Sequence, residues 1–222
     1  MNIADNIRKF RELVPADVEI VAVSKFHPAS MIMEAYEAGQ TTFGESRVQE
    51  FLEKEEALPK EIKWHFIGHL QTNKVRQIIG KTTLIESVDS ERLLELIQKE
   101  SEKAGVLTDV LLQVHVAEEE AKFGFYPEEL RDYLRSGNYR LLKSVRICGL
   151  MGMATNTEDE RRIRKDFMTL HDLFEEIKGD PALGLKHFTR LSMGMSGDWQ
   201  LAVKEGSNIV RIGSAIFGDR NS

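Results

Sequence analysis

Eight short apolar runs, each separated from the next by a longer amphipathic stretch, constrain this chain more than any single residue does. The runs are 20–26 (IVAVSKF), 41–45 (TTFGE), 63–68 (KWHFIG), 83–88 (TLIESV), 109–116 (DVLLQVHV), 145–153 (VRICGLMGM), 186–193 (KHFTRLSM) and 208–217 (NIVRIGSAIF). Their β-branched, almost continuously apolar character suits parallel strands buried on both faces. Helical periodicity falls at 29–39, 46–57, 72–79, 90–104, 127–136, 158–178 and 197–205, with a further helix at 2–13. Ser90 before ERLLELI and Thr157 before EDERRI are expected to cap two of these helices. Eight strand–helix units within 222 residues point to an α/β protein: a compact (β/α)8 TIM barrel with an additional N-terminal helix, forming a single domain over 1–222. The competing doubly wound open sheet calls for a glycine-rich turn after the first strand. That position reads Ser24-Lys25-Phe26-His27-Pro28, with no glycine.

Composition removes several function classes. The formal net charge of -6 argues against a broad nucleic-acid or anionic-membrane surface. The single cysteine, Cys148, cannot make an intrachain disulfide or a thiolate metal cage, which fits a reducing cytoplasm. MNIADNIRKFREL is an amphipathic helix pattern, so no signal peptide is expected. No apolar run is long enough to span a membrane.

Barrel chemistry gathers at the C-terminal ends of strands. Lys25 closes the first strand directly after the apolar residues Ile20 to Val23. Most lysines are snorkelling surface groups. Partial burial at a strand end, however, lowers an amine's pKa and makes it the nucleophile that a Schiff base requires. After the seventh strand comes Ser192-Met193-Gly194-Met195-Ser196-Gly197-Asp198, and Arg211-Ile212-Gly213-Ser214-Ala215 closes the eighth. Glycines in such loops often serve tight turns alone. Two small-residue, hydroxyl-bearing loops in consecutive positions match the place where barrels bind phosphate. Arg211 is a charge within an apolar strand and needs an acceptor. Glu45 and Glu86 are the carboxylate candidates, and a bound cofactor's phosphate or ring nitrogen is the functional one. His65 and His69 are four apart but lie in a strand and its following turn, so no metal site is expected and His65 reads as a satisfied structural histidine. Gln71, Asn73 and Lys74 begin a helix beside the mouth and are candidates to line the same pocket. Lys74 and Lys122 are the rival nucleophilic lysines, both expected to be better solvated than Lys25.

The stretches AVSKFHP, FGESRVQE, WHFIGHLQTNK, GLMGMAT, LSMGMSGDW and GSNIVRIGSAIFG resemble the YggS/PROSC family, the pyridoxal phosphate homeostasis proteins, from the first strand to the eighth. The resemblance implies the fold of the alanine racemase N-terminal domain, a fold type III pyridoxal-phosphate barrel without the C-terminal β domain. It implies that Lys25 forms the Schiff base with pyridoxal 5′-phosphate, that Ser196, Gly213 and Ser214 hold the phosphate, and that Arg211 lies near the pyridine ring. The family usually reads GEN where this chain has Gly44-Glu45-Ser46, and threonine where it has Ser214. Serine keeps the hydroxyl at 214, whereas Ser46 lacks the amide.

Three functions follow as expectations. The first is a non-enzymatic carrier that binds, buffers and delivers pyridoxal phosphate, a monomer in the cytoplasm, with apo-enzymes that use this cofactor as its partners. The second is an amino-acid racemase, which needs acid–base groups on both faces of the substrate α-carbon. Lys25 serves one face, and the domain that supplies the opposing tyrosine in racemases of this fold is not expected after residue 222. Of Tyr36, Tyr126, Tyr133 and Tyr139, only Tyr126 lies near a strand-end loop. The third is a phosphosugar or nucleotide-phosphate barrel enzyme, which would show no visible chromophore.

Overall fold

A computed structural model describes residues 2–119 and 123–218. Eight parallel strands close into a barrel in chain order: β1 (Glu19–Val23), β2 (Thr42–Glu45), β3 (Lys63–Phe66), β4 (Leu84–Val88), β5 (Thr108–Val114), β6 (Val145–Gly152), β7 (Arg190–Met195) and β8 (Ile209–Ile212). Pairing of Ile20 with Val210 and Val21 with Arg211 joins β8 back to β1. Closure of this kind leaves no exposed strand edge. Around the barrel run α1 (Ile3–Leu13), α2 (Ala29–Glu37), α3 (Val48–Ala57), α4 (Val75–Ile78), α5 (Glu91–Ala104), α6 (Pro127–Ser136), α7 (Glu160–Gly179), α8 (Trp199–Lys204) and α9 (Ser214–Phe217).

Two apolar clusters separate the inside of the barrel from its outer wall. The smaller one, Val21, Leu84, Leu111, Cys148, Met151 and Ile209, draws only on strands and fills the lumen. The larger one joins outward-facing strand residues such as Phe43, Trp64 and Ile85 to helix residues such as Phe51. Strand side chains alternate between faces, so these two clusters fix the parity of each strand. Because Val21 faces in, Glu19, Val23 and the following Lys25 share its parity. Because Leu84 and Ile209 face in, so do Glu86 and Arg211. Trp64 and Leu191 face out, which turns His65 and Ser192 inward.

The architecture matches the barrel expected from the alternating pattern, with local differences in where elements begin and end. The first strand, expected over 20–26, ends at Val23, so Lys25 lies in the turn after it and not in the strand itself. The seventh strand starts at Arg190, not at 186, because Lys186 and Phe188 donate their N–H groups to Gly184 and Leu185 in turns. The eighth strand ends at Ile212, and the apolar tail Ser214–Phe217 is a helical turn in which Ile216 and Phe217 both bond back to the Gly213 carbonyl. The helix expected from Thr157 starts two residues later. Its cap is Asp159, whose carboxylate accepts from the Arg161 N–H at 3.0 Å, while Thr157 only receives the Asp159 N–H. Ser90 caps α5 as expected, accepting from the Leu93 N–H at 3.3 Å. Among the described residues no helix is long and apolar enough to cross a membrane.

Candidate functional site

A cavity of about 290 Å3 opens where β1, β7 and β8 end, and it brings together Lys25, Ser196, Arg211, Gly213 and Ser214 with Ser46 and His27. Its volume is at the lower edge of the range of about 300–1,000 Å3 usual for small-molecule sites. Val23, Ile67, Met153 and Met195 supply apolar walls. A larger cavity of about 480 Å3 lies at the opposite, strand-start end, lined by residues such as Leu107, Leu142, Val145 and Lys186. Its Arg146 is already held by both oxygens of Asp109 at 2.7 Å.

The loops after β7 and β8 converge physically. A register shift between Ser192 and Met195 bulges the end of β7, and bulges re-aim the residues that follow. Gly194 sits at φ +95, where a Cβ would lie 2.6 Å from the Ala202 Cβ, so only glycine lets this turn pack on α8. The turn is closed by the Met195 N–H donating to Asp198 Oδ1 at 2.6 Å. Ser196 Oγ accepts from the Gly213 N–H at 3.1 Å, stitching the β7 loop to the β8 loop. Helix geometry leaves the N–H groups of Ser214 and Ala215 without partners inside α9. Ser196 and Ser214, with their hydroxyls and the Ser214 amide, therefore line one wall of the cavity, a donor set suited to an anion.

Arg211 enters the cavity from below. It is buried, and its Nη1 donates to Ser192 Oγ at 2.6 Å while its Nη2 donates to the Gly152 carbonyl at 2.9 Å. Its carboxylate partner is Glu86, at 3.7 Å. Glu45, the other candidate, pairs instead with Lys54 at 2.7 Å. Parity explains the choice: Glu86 faces the lumen, whereas the alternation Phe43 out, Gly44 in turns Glu45 toward α3. Ser192 Oγ also donates to Glu86, whose other oxygen contacts His65 Nδ1 at 2.6 Å. Burial by itself pushes the Glu86 carboxyl up, but His65, Arg211 and Ser192 outweigh it and hold the group below the ordinary carboxylate range. Burial draws the Arg211 value down, opposed by Glu86 and Asp198; a guanidinium keeps its charge throughout. His65 is satisfied on one side only. Its Nε2 is buried without a hydrogen-bond partner, 4.0 Å from Glu19 Oε1.

The remaining candidates lie elsewhere. Lys74 is half-buried, as Lys25 is, so exposure does not distinguish them; position does, because Lys74 is in the short turn Thr72–Lys74 outside the cavity. Gln71 and Asn73 are exposed and do not line the cavity either; Asn73 borders a separate depression with Arg92, Glu95 and Lys99. The reason is the turn itself, which carries these residues down the outside of the barrel before α4 begins. Lys122 lies outside the described residues. Tyr126 precedes α6, half exposed, with its ring edge-on to His115. Among the described residues no cluster of three or more histidine, cysteine or acidic side chains is placed to bind a metal. Cys148 is buried in the lumen, and desolvation pushes its thiol up to about 11, so it is unreactive at neutral pH. His27, on the same loop as Lys25, is a cavity residue that sequence reasoning passed over; its ring stacks on Phe217 of α9 at 5.0 Å.

A barrel with a lysine in the turn after β1 and a wall of hydroxyls and backbone amides between β7 and β8 defines a class that comparison with known proteins makes specific. The family model for the N-terminal domain of alanine racemase matches residues 1–221. The pyridoxal phosphate homeostasis protein of Aquifex aeolicus is 42% identical over 204 residues, covering 91% of this chain and 87% of its own. PipY of Synechococcus elongatus PCC7942, solved without pyridoxal phosphate, superposes with a TM-score of 0.92 at 37% identity, covering 97% of this chain and 100% of PipY. The same protein with pyridoxal phosphate bound gives 0.87 at 36% identity, with the same coverage. Alanine racemase of Clostridium difficile 630 shares the fold alone, with a TM-score of 0.79 at 14% identity, covering all of this chain and 60% of the racemase. The chain belongs to the pyridoxal phosphate homeostasis proteins, within the alanine racemase N-terminal domain family.

Proposed function

We propose that this protein binds pyridoxal 5′-phosphate on Lys25, buffers it and passes it to apo-enzymes, without substantial catalytic turnover. The observation that carries the reading is the single cavity shared by Lys25, Ser196, Arg211, Gly213 and Ser214. The cavity's chemistry fits the cofactor on each side. The amides and hydroxyls of the β7 and β8 loops suit the dianionic phosphate, the apolar walls suit the ring, and Lys25 lines the same cavity from the loop after β1, the strand next to β8. Bound pyridoxal phosphate supplies an aldehyde carbon to which a neutral amine adds with loss of water. Lys25 is the amine in reach. Arg211, held charged by Glu86, keeps a proton off any ring nitrogen it meets, which weakens the ring as an electron sink.

The carrier reading is supported over the racemase by the proton carriers available. Of the described residues lining the cavity, Lys25, His27 and Arg211 bear ionisable side chains. Lys25 and His27 come from one loop, and Arg211 is committed to Glu86 and Ser192. Racemisation needs groups on opposite faces of the α-carbon, and none of the four tyrosines lines the cavity. Two assays on one preparation test this. Exchange of D- and L-alanine is expected to be negligible with saturating cofactor, while the loaded protein is expected to reactivate an apo-enzyme. Racemase turnover at ordinary enzyme rates, about 1–10³ per second, that disappears in Lys25→Ala would overturn the proposal.

The phosphate wall makes its own prediction. Ser196→Ala and Ser214→Ala should each weaken retention of pyridoxal phosphate by about 1.5–3 kcal/mol, the range for a hydrogen bond to a charged group. Backbone donors remain, so neither change abolishes binding. Equilibrium dialysis of the single and double variants measures this; a double variant with wild-type affinity places the phosphate elsewhere.

A further inference from the structure

A second group of buried charges lies outside the cavity, on the far side of the Lys25 loop. Lys54 is in the last turn of α3, yet its residue is only 7% exposed. Its Nζ donates to Glu45 Oε1 at 2.7 Å, to Glu50 Oε2 at 3.3 Å and to the Ser24 carbonyl at 2.9 Å. Ser24 Oγ donates to the same Glu45 oxygen at 2.6 Å. Two residues on, the Phe26 N–H donates to Glu50 Oε2 at 2.8 Å. The residues immediately before and after Lys25 are thus both tied to one ionic cluster, and both its carboxylates serve Lys54 as well.

The backbone shows why such a clamp is needed. Phe26 has φ +68, the one non-glycine residue among those described with a left-handed backbone. A side-chain-bearing residue stays in that region only where its surroundings over-determine it. Here the Glu50 carboxylate fixes its N–H, and the Arg47 guanidinium covers its ring at 4.6 Å. Strand parity explains the cluster's reach. Val23 faces the lumen and Ser24 faces α3, so a chain held at Ser24 and turned sharply at Phe26 presents the intervening Lys25 to the cavity. Burying Glu45 and Lys54 is costly. Burial pushes the Glu45 carboxyl up, against the pull of Lys54 and Ser24, and its Oε2 is buried without a hydrogen-bond partner. An apolar pair at these positions would pack α3 on the barrel without that cost, so packing alone does not account for the charges.

We propose that Lys54, Glu45 and Glu50 are positioning residues that clamp the backbone on both sides of Lys25 and thereby set the reactivity of its amine toward pyridoxal phosphate. This rests on the assignment of Lys25 as the cofactor-binding amine. The test uses three variants of the full chain. Lys54→Met combined with Glu45→Leu replaces the buried pair by apolar groups, a change that buried ion pairs often tolerate. Glu50→Ala frees the Phe26 N–H and leaves the Glu45–Lys54 pair in place. Glu50→Gln keeps an amide oxygen able to accept from Phe26. Two readouts apply. One is the pH dependence of Lys25 acetylation by acetic anhydride in cofactor-free protein, resolved by peptide mass with Lys74 as internal reference. The other is the rate at which loaded protein loses pyridoxal phosphate to hydroxylamine.

The double variant and Glu50→Ala are expected to displace the Lys25 acetylation profile without moving that of Lys74. They are also expected to accelerate cofactor loss about tenfold, equivalent to about 1.4 kcal/mol, while Glu50→Gln behaves as wild type. Wild-type acetylation profiles and release rates in both disrupted variants, with unfolding midpoints showing that they fold, would overturn the clamp. If the wild type carries no cofactor on Lys25, the binding assignment fails instead, and the acetylation profile of cofactor-free protein still decides for or against the clamp.

Discussion

Glu86→Ala is expected to lower the stability of this barrel by about 3–5 kcal/mol, the cost of removing one partner from a buried ion pair. Glu86 is fully buried in the lumen, where it faces Arg211 at 3.7 Å and receives Ser192 and His65. Truncation leaves a buried guanidinium with neutral acceptors and a histidine with both ring nitrogens unpartnered. Glu86→Gln keeps an acceptor for Ser192 but removes the charge, and should cost less. The pH dependence has a definite sign. Glu86 is held below its unfolded value, so its stabilising contribution is complete above the unfolded carboxylate pKa of about 4.3 and disappears as pH falls through the folded value. The stability gap between wild type and Glu86→Gln should therefore be constant near neutrality and close in acid. Glu45 is shifted the other way; it favours folding most below its unfolded pKa, and that advantage is lost as pH rises through the folded value. Urea unfolding across pH on wild type, Glu86→Gln and Glu86→Ala measures these contributions. A loss below about 1 kcal/mol for Glu86→Ala would mean that Arg211 finds compensation elsewhere.

The partner of Arg211 also marks where sequence reasoning stops. Strand existence was legible because eight apolar runs recur with helices between them, and the C-terminal ends of the first, seventh and eighth strands pointed directly at Lys25, Ser196, Gly213, Ser214 and Arg211. Choosing between Glu45 and Glu86 required knowing which residues face the lumen. Parallel strands buried on both faces conceal that parity, since apolar residues occupy both sides. Gly44 inward and Leu84 inward are facts of barrel closure, visible only once the strands are in register. The same blindness merged Ser214–Phe217 into the eighth strand: SAIF is as apolar as the strand before it, and the break depends on Gly213 accepting two helical N–H groups. Lys54 gave no local sign at all. It sits in VQEFLEKEEA, which reads as a solvated helical face, and its burial follows from where α3 lies on β1 and β2. His27 was hidden for a related reason, because its ring stacks on a helix whose apolar sequence has the pattern of a strand.

Lys25→Ala carries the other large effect. The cavity would keep its phosphate wall and Arg211, so weak reversible binding of pyridoxal phosphate should persist, but nothing in the cavity lining replaces the amine. The long-wavelength absorption of the loaded protein should be lost, together with every borohydride-stable adduct in this cavity. Transfer to an apo-enzyme should lose its slow, protein-controlled phase and resemble release of free cofactor.

The most direct test is made on the wild type. Purified protein is saturated with pyridoxal phosphate, reduced with borohydride, digested and mapped by mass spectrometry. The predicted result is loss of the visible band on reduction and a pyridoxyl group on Lys25. A protein that stays colourless with saturating cofactor, or an adduct found only on Lys74 or Lys122, would contradict the account.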